Sequence, residues 1–187
     1  VPSLAAATRK RLDRELAKRP PLADVRVAVV NAALSNETVG RRPLFGLPST
    51  AKASARQTGA GLSHASAESG HVRIGEVETT TLDTLLRSWK LLQGGRVFVK
   101  VDVEGFDAHV LAGGACALRH GAIDAIQLEW NRRKLPSAAP PCVTLKRVAA
   151  FLERMGYEAF LVGQPYVPLN FGHWHASYEG SATPKLR

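Results

Sequence analysis

This sequence lacks the motifs and patterns that identify several classes of protein. No apolar run approaches the roughly 20 residues that a membrane-spanning helix needs, and no HExxH, GxSxG or Walker motif occurs. The two cysteines, Cys116 and Cys142, lie far apart in the sequence and form no CxxC motif. We therefore expect no membrane span and no metal site. Both cysteines are interpreted as free thiols in a reducing, intracellular compartment.

Acidic side chains are also scarce, with 16 Asp and Glu against 25 Lys and Arg and a formal net charge of +9. Such a balance is found in proteins that bind nucleic acid or another acidic partner. The largest basic cluster, within residues 9–19, interleaves with Leu12 and Leu16, which indicates an amphipathic helix with a charged outer face. Because no motif of stacking aromatic residues accompanies the charge, nucleic-acid binding is only a minor alternative.

What the sequence does contain is a regular alternation of predicted helices and strands. In order they are helix Leu4–Arg19, strand Val25–Val30, loop Asn36–Gly70, strand His71–Glu78, helix Leu82–Leu92, strand Arg96–Asp102, helix Gly105–His120, strand Ile123–Glu129, loop Arg132–Pro141, helix Val143–Met155 and strand Tyr157–Val162. The alternation predicts an α/β fold with a doubly wound, mostly parallel sheet. We expect one domain over residues 1–170, in which residues 36–70 form a loop or insertion, and a C-terminal tail over residues 171–187.

Two smaller patterns bear on local structure. Thr80 and Asp83 have the spacing of a capping box, which predicts the start of the helix at Leu82. His173 and His175 would share one face of an extended strand and allow a two-histidine metal site. The preferred interpretation of that segment is a surface strand or tail.

Acidic side chains end two neighbouring predicted strands. The segment RVFVKVDVE, residues 96–104, is largely apolar up to Asp102 and Glu104, and Glu129 ends the next strand. A largely apolar run is typical of a parallel strand that is buried on both faces. Open α/β sheets bind ligands beyond the carboxyl ends of their strands. Such carboxylates can orient a hydroxyl or an amine, act as a general base or hold a divalent metal. Alternatively, they cap the helices that follow.

Taken in order, these segments resemble the FkbM-type methyltransferases. The resemblance lies in TLDTLL (81–86), VKVDVEG (99–105) and VLAGG (110–114), with VNAALS (30–35) upstream and IQLE (126–129) downstream. It implies a Rossmann-like class I methyltransferase sheet and S-adenosylmethionine as the cofactor. It also implies methylation of a hydroxyl group on a small molecule or a sugar.

The resemblance assigns roles to individual residues. Asn31 and Ala32 would lie near the adenine of the cofactor, and Asp102 would face its methionine end and the acceptor. Methyl transfer needs an in-line approach of the acceptor oxygen, so the protein supplies mainly orientation and a base for the leaving proton. Asp102 or Glu104 is the candidate base, and Glu129 is the candidate group that orients the acceptor.

One part of the family pattern has no counterpart in these residues. The glycine-rich turn that contacts the methionine part of the cofactor, and the acid that holds its ribose, are both missing. Helix Leu4–Arg19 matches the segment that normally follows that acid, so we expect a truncated chain whose sheet lacks the first two strands. Val25–Val30 and Arg96–Val101 would then pair directly or leave two unpaired edges. Such a chain alone would bind the cofactor poorly, and a non-catalytic binding or scaffolding remnant of the same fold is the alternative function.

Overall fold

The computed structural model describes residues 2–18, 28–46, 72–93, 96–103, 106–130, 143–163, 166–169 and 174–179. The helices and strands are α1 Pro2–Ala17, β1 Ala32–Leu34, β2 Arg41–Gly46, β3 Val72–Thr80, α2 Leu82–Ser88, β4 Phe98–Val101, α3 Asp107–Ala112, α4 Ala115–Arg119, β5 Ala125–Leu128, α5 Leu145–Arg154, β6 Phe160–Leu161 and β7 Val167–Pro168. Single 3-10 turns cover Leu91–Gln93 and Ala176–Glu179. Among these helices, none is both long and apolar enough to cross a membrane.

The described strands form three small sheets. β3 lies between β1, with which it is parallel, and β2, with which it is antiparallel. β4 and β5 form a parallel pair, and β6 and β7 form an antiparallel pair. The mixed α/β class is therefore confirmed, but the mostly parallel Rossmann-like sheet is not. In the described ranges β1 and β4 do not pair with each other, and each is an edge strand.

Among the described residues, the first strand lies later in the chain than the sequence predicts. Of the predicted strand Val25–Val30, residues 25–27 lie outside the described residues, and Ala28–Val30 are not in a strand. The strand is Ala32–Leu34 instead, because the facing edge of β3 supplies its hydrogen-bonding partners from Glu78 to Thr80.

Part of the predicted loop Asn36–Gly70 is also a strand. Gly40 adopts a φ of 76°, a left-handed conformation that glycine adopts without strain. Its carbonyl accepts hydrogen bonds from both the backbone N–H and the hydroxyl of Thr79, each at 2.9 Å. The chain thus turns back and β2 pairs with β3, while residues 47–70 lie outside the described part.

The predicted helix Gly105–His120 is two helices, α3 and α4, separated by Gly113 and Gly114. A Cβ on Gly113 would lie 2.1 Å from the carbonyl oxygen of Ser35, and one on Gly114 would lie 2.8 Å from Cδ2 of Leu82. Because glycine has no Cβ, the chain passes close to two other segments at these positions. The predicted helix is therefore divided into two helices with a close-packed junction between them. Ser35 itself is only 1% exposed.

Asp83 fastens the same junction. Its backbone N–H donates to the Gly113 carbonyl at 3.0 Å, and its carboxylate accepts from the backbone N–H groups of Cys116 at 3.0 Å and Ala117 at 2.8 Å. The predicted capping box is therefore wrong in detail. The cap of α2 is Thr81, whose hydroxyl accepts from the Thr84 N–H, and Asp83 caps α4 instead.

The core lies on one side of the β4–β5 pair, where it is covered by α2, α3, α4 and α5. Its most deeply buried members are Val110, Leu111, Ala117, Leu118 and Ile123. Along β4 the side chains alternate, so Val101 is 3% exposed whereas Phe98 is 63% exposed. The expectation of a strand buried on both faces is therefore wrong in the described structure, where one face of β4 stays open.

Candidate functional site

The carboxyl edge of the β4–β5 pair brings two of the predicted site residues together. Val101 at the end of β4 stands opposite Leu128 at the end of β5, so Asp102 and Glu129 follow at equivalent positions. The Glu129 N–H donates to the Val101 carbonyl at 3.2 Å, which continues the ladder by one step. Because registered residues of parallel strands point to the same face, this geometry supports the expectation that both acids line one edge.

Asp102 has a cation beside it. The Lys100 ammonium lies 3.5 Å from the Asp102 carboxylate, two positions earlier on the same face of the strand. Both side chains are about half exposed, so the ion pair contributes little to stability. Glu129 is also exposed. Both carboxylates are thus open to an incoming ligand.

The remaining predicted residues are not assembled with this edge. Glu104 lies outside the described residues. Asn31 directly precedes β1 and Ala32 begins it, so both belong with the β1–β3–β2 sheet. Among the residues that the structure describes, no hydrogen bond or ion pair joins Asn31 or Ala32 to Asp102 or Glu129. Their predicted place near the adenine stays a prediction.

A cleft of about 1160 Å³ runs along β5 and reaches the carboxyl edge at Glu129. Its walls come from β4, from both faces of β5, from the core-facing side of α5, from β6 and from the 3-10 turn near the C-terminus. Lys100 and Gln127 lie on the same open face. The carboxylate of Glu129 is therefore both a strand-end acid and part of the cleft wall.

Comparison with known protein families shows which family the residues of this edge belong to. A model of the FkbM methyltransferase domain matches residues 9–159, which is most of the chain and includes both strand-end acids. The chain belongs to the FkbM methyltransferase family. No curated protein and no solved structure matches the chain.

The FkbM domain has two polar side chains on α3, one buried and one partly buried, that the sequence did not single out. Asp107 and His109 lie on α3, just after the Asp102 segment, and Asp107 is 3% exposed. Burial, and secondly the positive charge of Arg42 on β2, lower the pKa of His109. Its Nδ1 is buried without a hydrogen-bond partner in the described part of the chain. No short-range pattern predicts this, because Arg42 is distant in sequence.

The 3-10 turn near the C-terminus, which follows the matched residues, is attached to α5. The Glu179 carboxylate accepts hydrogen bonds from the backbone N–H groups of Leu145 at 2.9 Å and Lys146 at 3.1 Å. Trp174 and Tyr178 make an edge-to-face contact, with ring centroids 5.6 Å apart, and pack against the core. Part of the predicted tail is thereby held at the cleft.

Within the described ranges of the chain, no group of three or more His, Cys, Asp or Glu side chains could hold a metal ion. His175 is 2.7 Å from the hydroxyl of Ser177, and His173 lies outside those ranges. Cys116 is a free thiol, while Cys142 also lies outside them.

Proposed function

We propose that this FkbM domain takes part in S-adenosylmethionine-dependent methylation of a hydroxyl group on a small molecule or a sugar. The observation that carries the proposal is the parallel β4–β5 pair, which places Asp102 and Glu129 side by side at the carboxyl edge within the matched residues. Ligands of open α/β sheets bind at such edges. Two exposed carboxylates at this edge can accept hydrogen bonds from a substrate that carries hydroxyl groups.

The residues at the edge fit part of the cofactor. The exposed Asp102 carboxylate can accept hydrogen bonds from the ammonium group at the methionine end. The Asn31 amide has the donor and acceptor that an adenine edge needs, but it lies beside the β1–β3–β2 sheet and not at this edge. When bound, S-adenosylmethionine supplies an electrophilic methyl group. The 187 residues contain no glycine-rich turn for the methionine part and no acid for the ribose. We therefore expect weak cofactor binding by this chain alone.

The acidic side chains have separable tasks in this proposal. Glu129 accepts a hydrogen bond from the molecule that receives the methyl group. This hydrogen bond fixes the direction in which the reacting oxygen of that molecule points. Asp102 or Glu104 accepts the hydroxyl proton as the oxygen becomes a nucleophile, a role in which a positioned base contributes about 10²- to 10⁴-fold. Lys100 restrains the Asp102 carboxylate at 3.5 Å.

The test is methyl transfer from labelled S-adenosylmethionine to a panel of hydroxyl compounds by the protein in its natural full length. We expect Asp102→Asn and Glu129→Gln each to lower turnover by about 10²-fold. The matched control is Asp13→Asn, since Asp13 is an exposed acid of α1 that pairs with Arg9. Unchanged turnover in both site variants, with the fold intact by circular dichroism, would remove the assignment.

Calorimetry separates the proposal from its alternative, a binding or scaffolding remnant. If the full-length protein binds S-adenosylmethionine and transfers the methyl group, the enzyme interpretation stands. If it binds hydroxyl compounds but neither binds the cofactor nor methylates, the remnant interpretation replaces it. Micromolar affinity of the isolated 187-residue chain for the cofactor would contradict the expectation of weak binding.

A further inference from the structure

The cleft along β5 collects exposed apolar side chains. Eight large apolar residues are exposed in the described part of the chain, and four of them line this cleft: Phe98, Phe160, Val162 and Tyr166. Val162 is 74% exposed and Tyr166 is 66% exposed. A group of exposed apolar side chains along one cleft indicates a binding surface, whereas exposed apolar residues that occur singly are ordinary.

One end of the cleft is polar. The Glu129 carboxylate lies there, and Trp130 follows it directly in the chain and also lines the cleft. Trp130 is only 7% exposed, and its indole Nε1 is buried with no hydrogen-bond partner in the part of the chain that the structure describes. Because buried donors in proteins almost always have a partner, this nitrogen is a candidate donor to an oxygen atom of a ligand.

We propose that this cleft binds an amphipathic ligand, whose apolar or aromatic body lies along Phe160, Val162 and Tyr166 and whose hydroxyl-bearing end lies at Glu129 and Trp130. The inference deepens the proposed function, on which it rests for the identity of the hydroxyl end. It selects acceptors with a large apolar body over bare sugars. The cleft volume of about 1160 Å³ is ample for such a molecule.

The cleft wall on the C-terminal side is held in place by Glu179. Its two hydrogen bonds to the start of α5 keep Ser177 and Tyr178 at the cleft. Since the Trp130 nitrogen is buried, an incoming oxygen reaches it only if a wall of the cleft shifts. Binding therefore has to change the surroundings of the Trp130 indole.

The experiment uses 2-naphthyl β-D-glucoside as the amphipathic probe and methyl β-D-glucoside as the bare-sugar control. The sequence has three tryptophans, so the ¹⁵N–¹H spectrum of the chain has three indole N–H signals, and the one lost in Trp130→Phe is assigned to Trp130. We expect the naphthyl glucoside to shift the Trp130 signal and to leave that of Trp89, which does not line the cleft, in place. The methyl glucoside should shift neither signal.

Two surface variants test where the apolar body lies. Val162→Ser removes an exposed apolar side chain from the cleft and should weaken naphthyl glucoside binding about fivefold. Val39→Ser makes the same change at a residue that is exposed elsewhere and should have no effect. Both positions are exposed, so neither variant endangers folding.

Each further outcome has a distinct meaning. Equal Trp130 shifts with both glucosides would overturn the apolar part of the proposal while leaving the proposed methyl transfer intact. No shift at Trp130, or equal shifts at Trp89 and Trp130, would overturn the cleft as a ligand site. Because the readout is binding to the isolated chain, none of these results depends on whether methyl transfer occurs.

Discussion

Gly113→Ala is the sharpest test of how this domain is held together. The added methyl carbon would lie 2.1 Å from the carbonyl oxygen of Ser35 and within 3.2 Å of further backbone atoms. Gly113 itself has a φ of −71° and a ψ of −9°, which any residue adopts, so alanine introduces no backbone strain. Steric overlap is therefore the sole expected cause of damage.

The overlap cannot be relieved cheaply. Ser35 is 1% exposed, and its N–H is bonded to the Thr80 carbonyl at 2.9 Å, so the segment after β1 is fixed. On the other side, the Gly113 carbonyl accepts from the Asp83 N–H at 3.0 Å. One of these backbones has to move by roughly an ångström, and overpacking of this kind lowers the free energy of unfolding by about 1–3 kcal/mol. We expect a value near the upper end, about 3 kcal/mol, because the obstacle is backbone.

Urea unfolding followed by circular dichroism measures the change. The control is Gly121→Ala, since Gly121 has open space around its Cα but a φ of 63°. Alanine there loses only about 1–2 kcal/mol through the left-handed conformation. If Gly113→Ala destabilises the protein less than Gly121→Ala does, the close approach of Gly113 to Ser35 is refuted.

Three further predictions concern polar contacts. Asp83→Asn leaves only one oxygen for the two N–H groups at the start of α4, and urea unfolding should show a loss of about 1–2 kcal/mol that Asp13→Asn on the surface of α1 does not show. Because the pKa of His109 is lowered below its ordinary value of 6.5, stability should fall as pH drops below about 6.5, and His109→Gln should flatten that part of a pH series of urea unfolding curves. Glu179→Gln weakens the attachment of the C-terminal turn to α5, so the fluorescence of Trp174 should shift toward that of a water-exposed indole; an unchanged spectrum would contradict the anchoring role.

Elements with a strong local pattern could be predicted from the sequence. β4 and β5 are short apolar runs, and α5 carries apolar side chains at helical spacing that end in Leu145, Val148, Ala149 and Leu152 on the buried face. For such segments, the secondary structure that the local hydrophobic pattern predicts is also the one that tertiary packing favours. The placement of Asp102 beside Glu129 followed from the same information, because two parallel neighbours share their carboxyl edge.

Features that depend on distant partners could not be predicted. β2 has a mixed sequence that includes Pro43, and it is a strand because β3 offers an antiparallel edge. The division of the helix at Gly113 depends on Ser35, and the capping of α4 depends on Asp83. In each case the partner lies far away along the chain, and the closest of these pairs, Gly46 with Val72, is 26 positions apart. Local sequence patterns do not reach that far.

The segments that resemble the family divide into two physical roles. TLDTLL and VLAGG meet each other through Leu82, Asp83, Gly113 and Gly114, where the contacts are close packing and backbone hydrogen bonds, so their role is structural. The ends of VKVDVEG and IQLE instead present acids at an open edge and stabilise little, since Asp102 and Glu129 are exposed. Changes in the first group should therefore lower the free energy of unfolding, whereas changes in the second should lower turnover at unchanged stability. A variant in the first group that unfolded normally yet lost activity would show that this division is wrong.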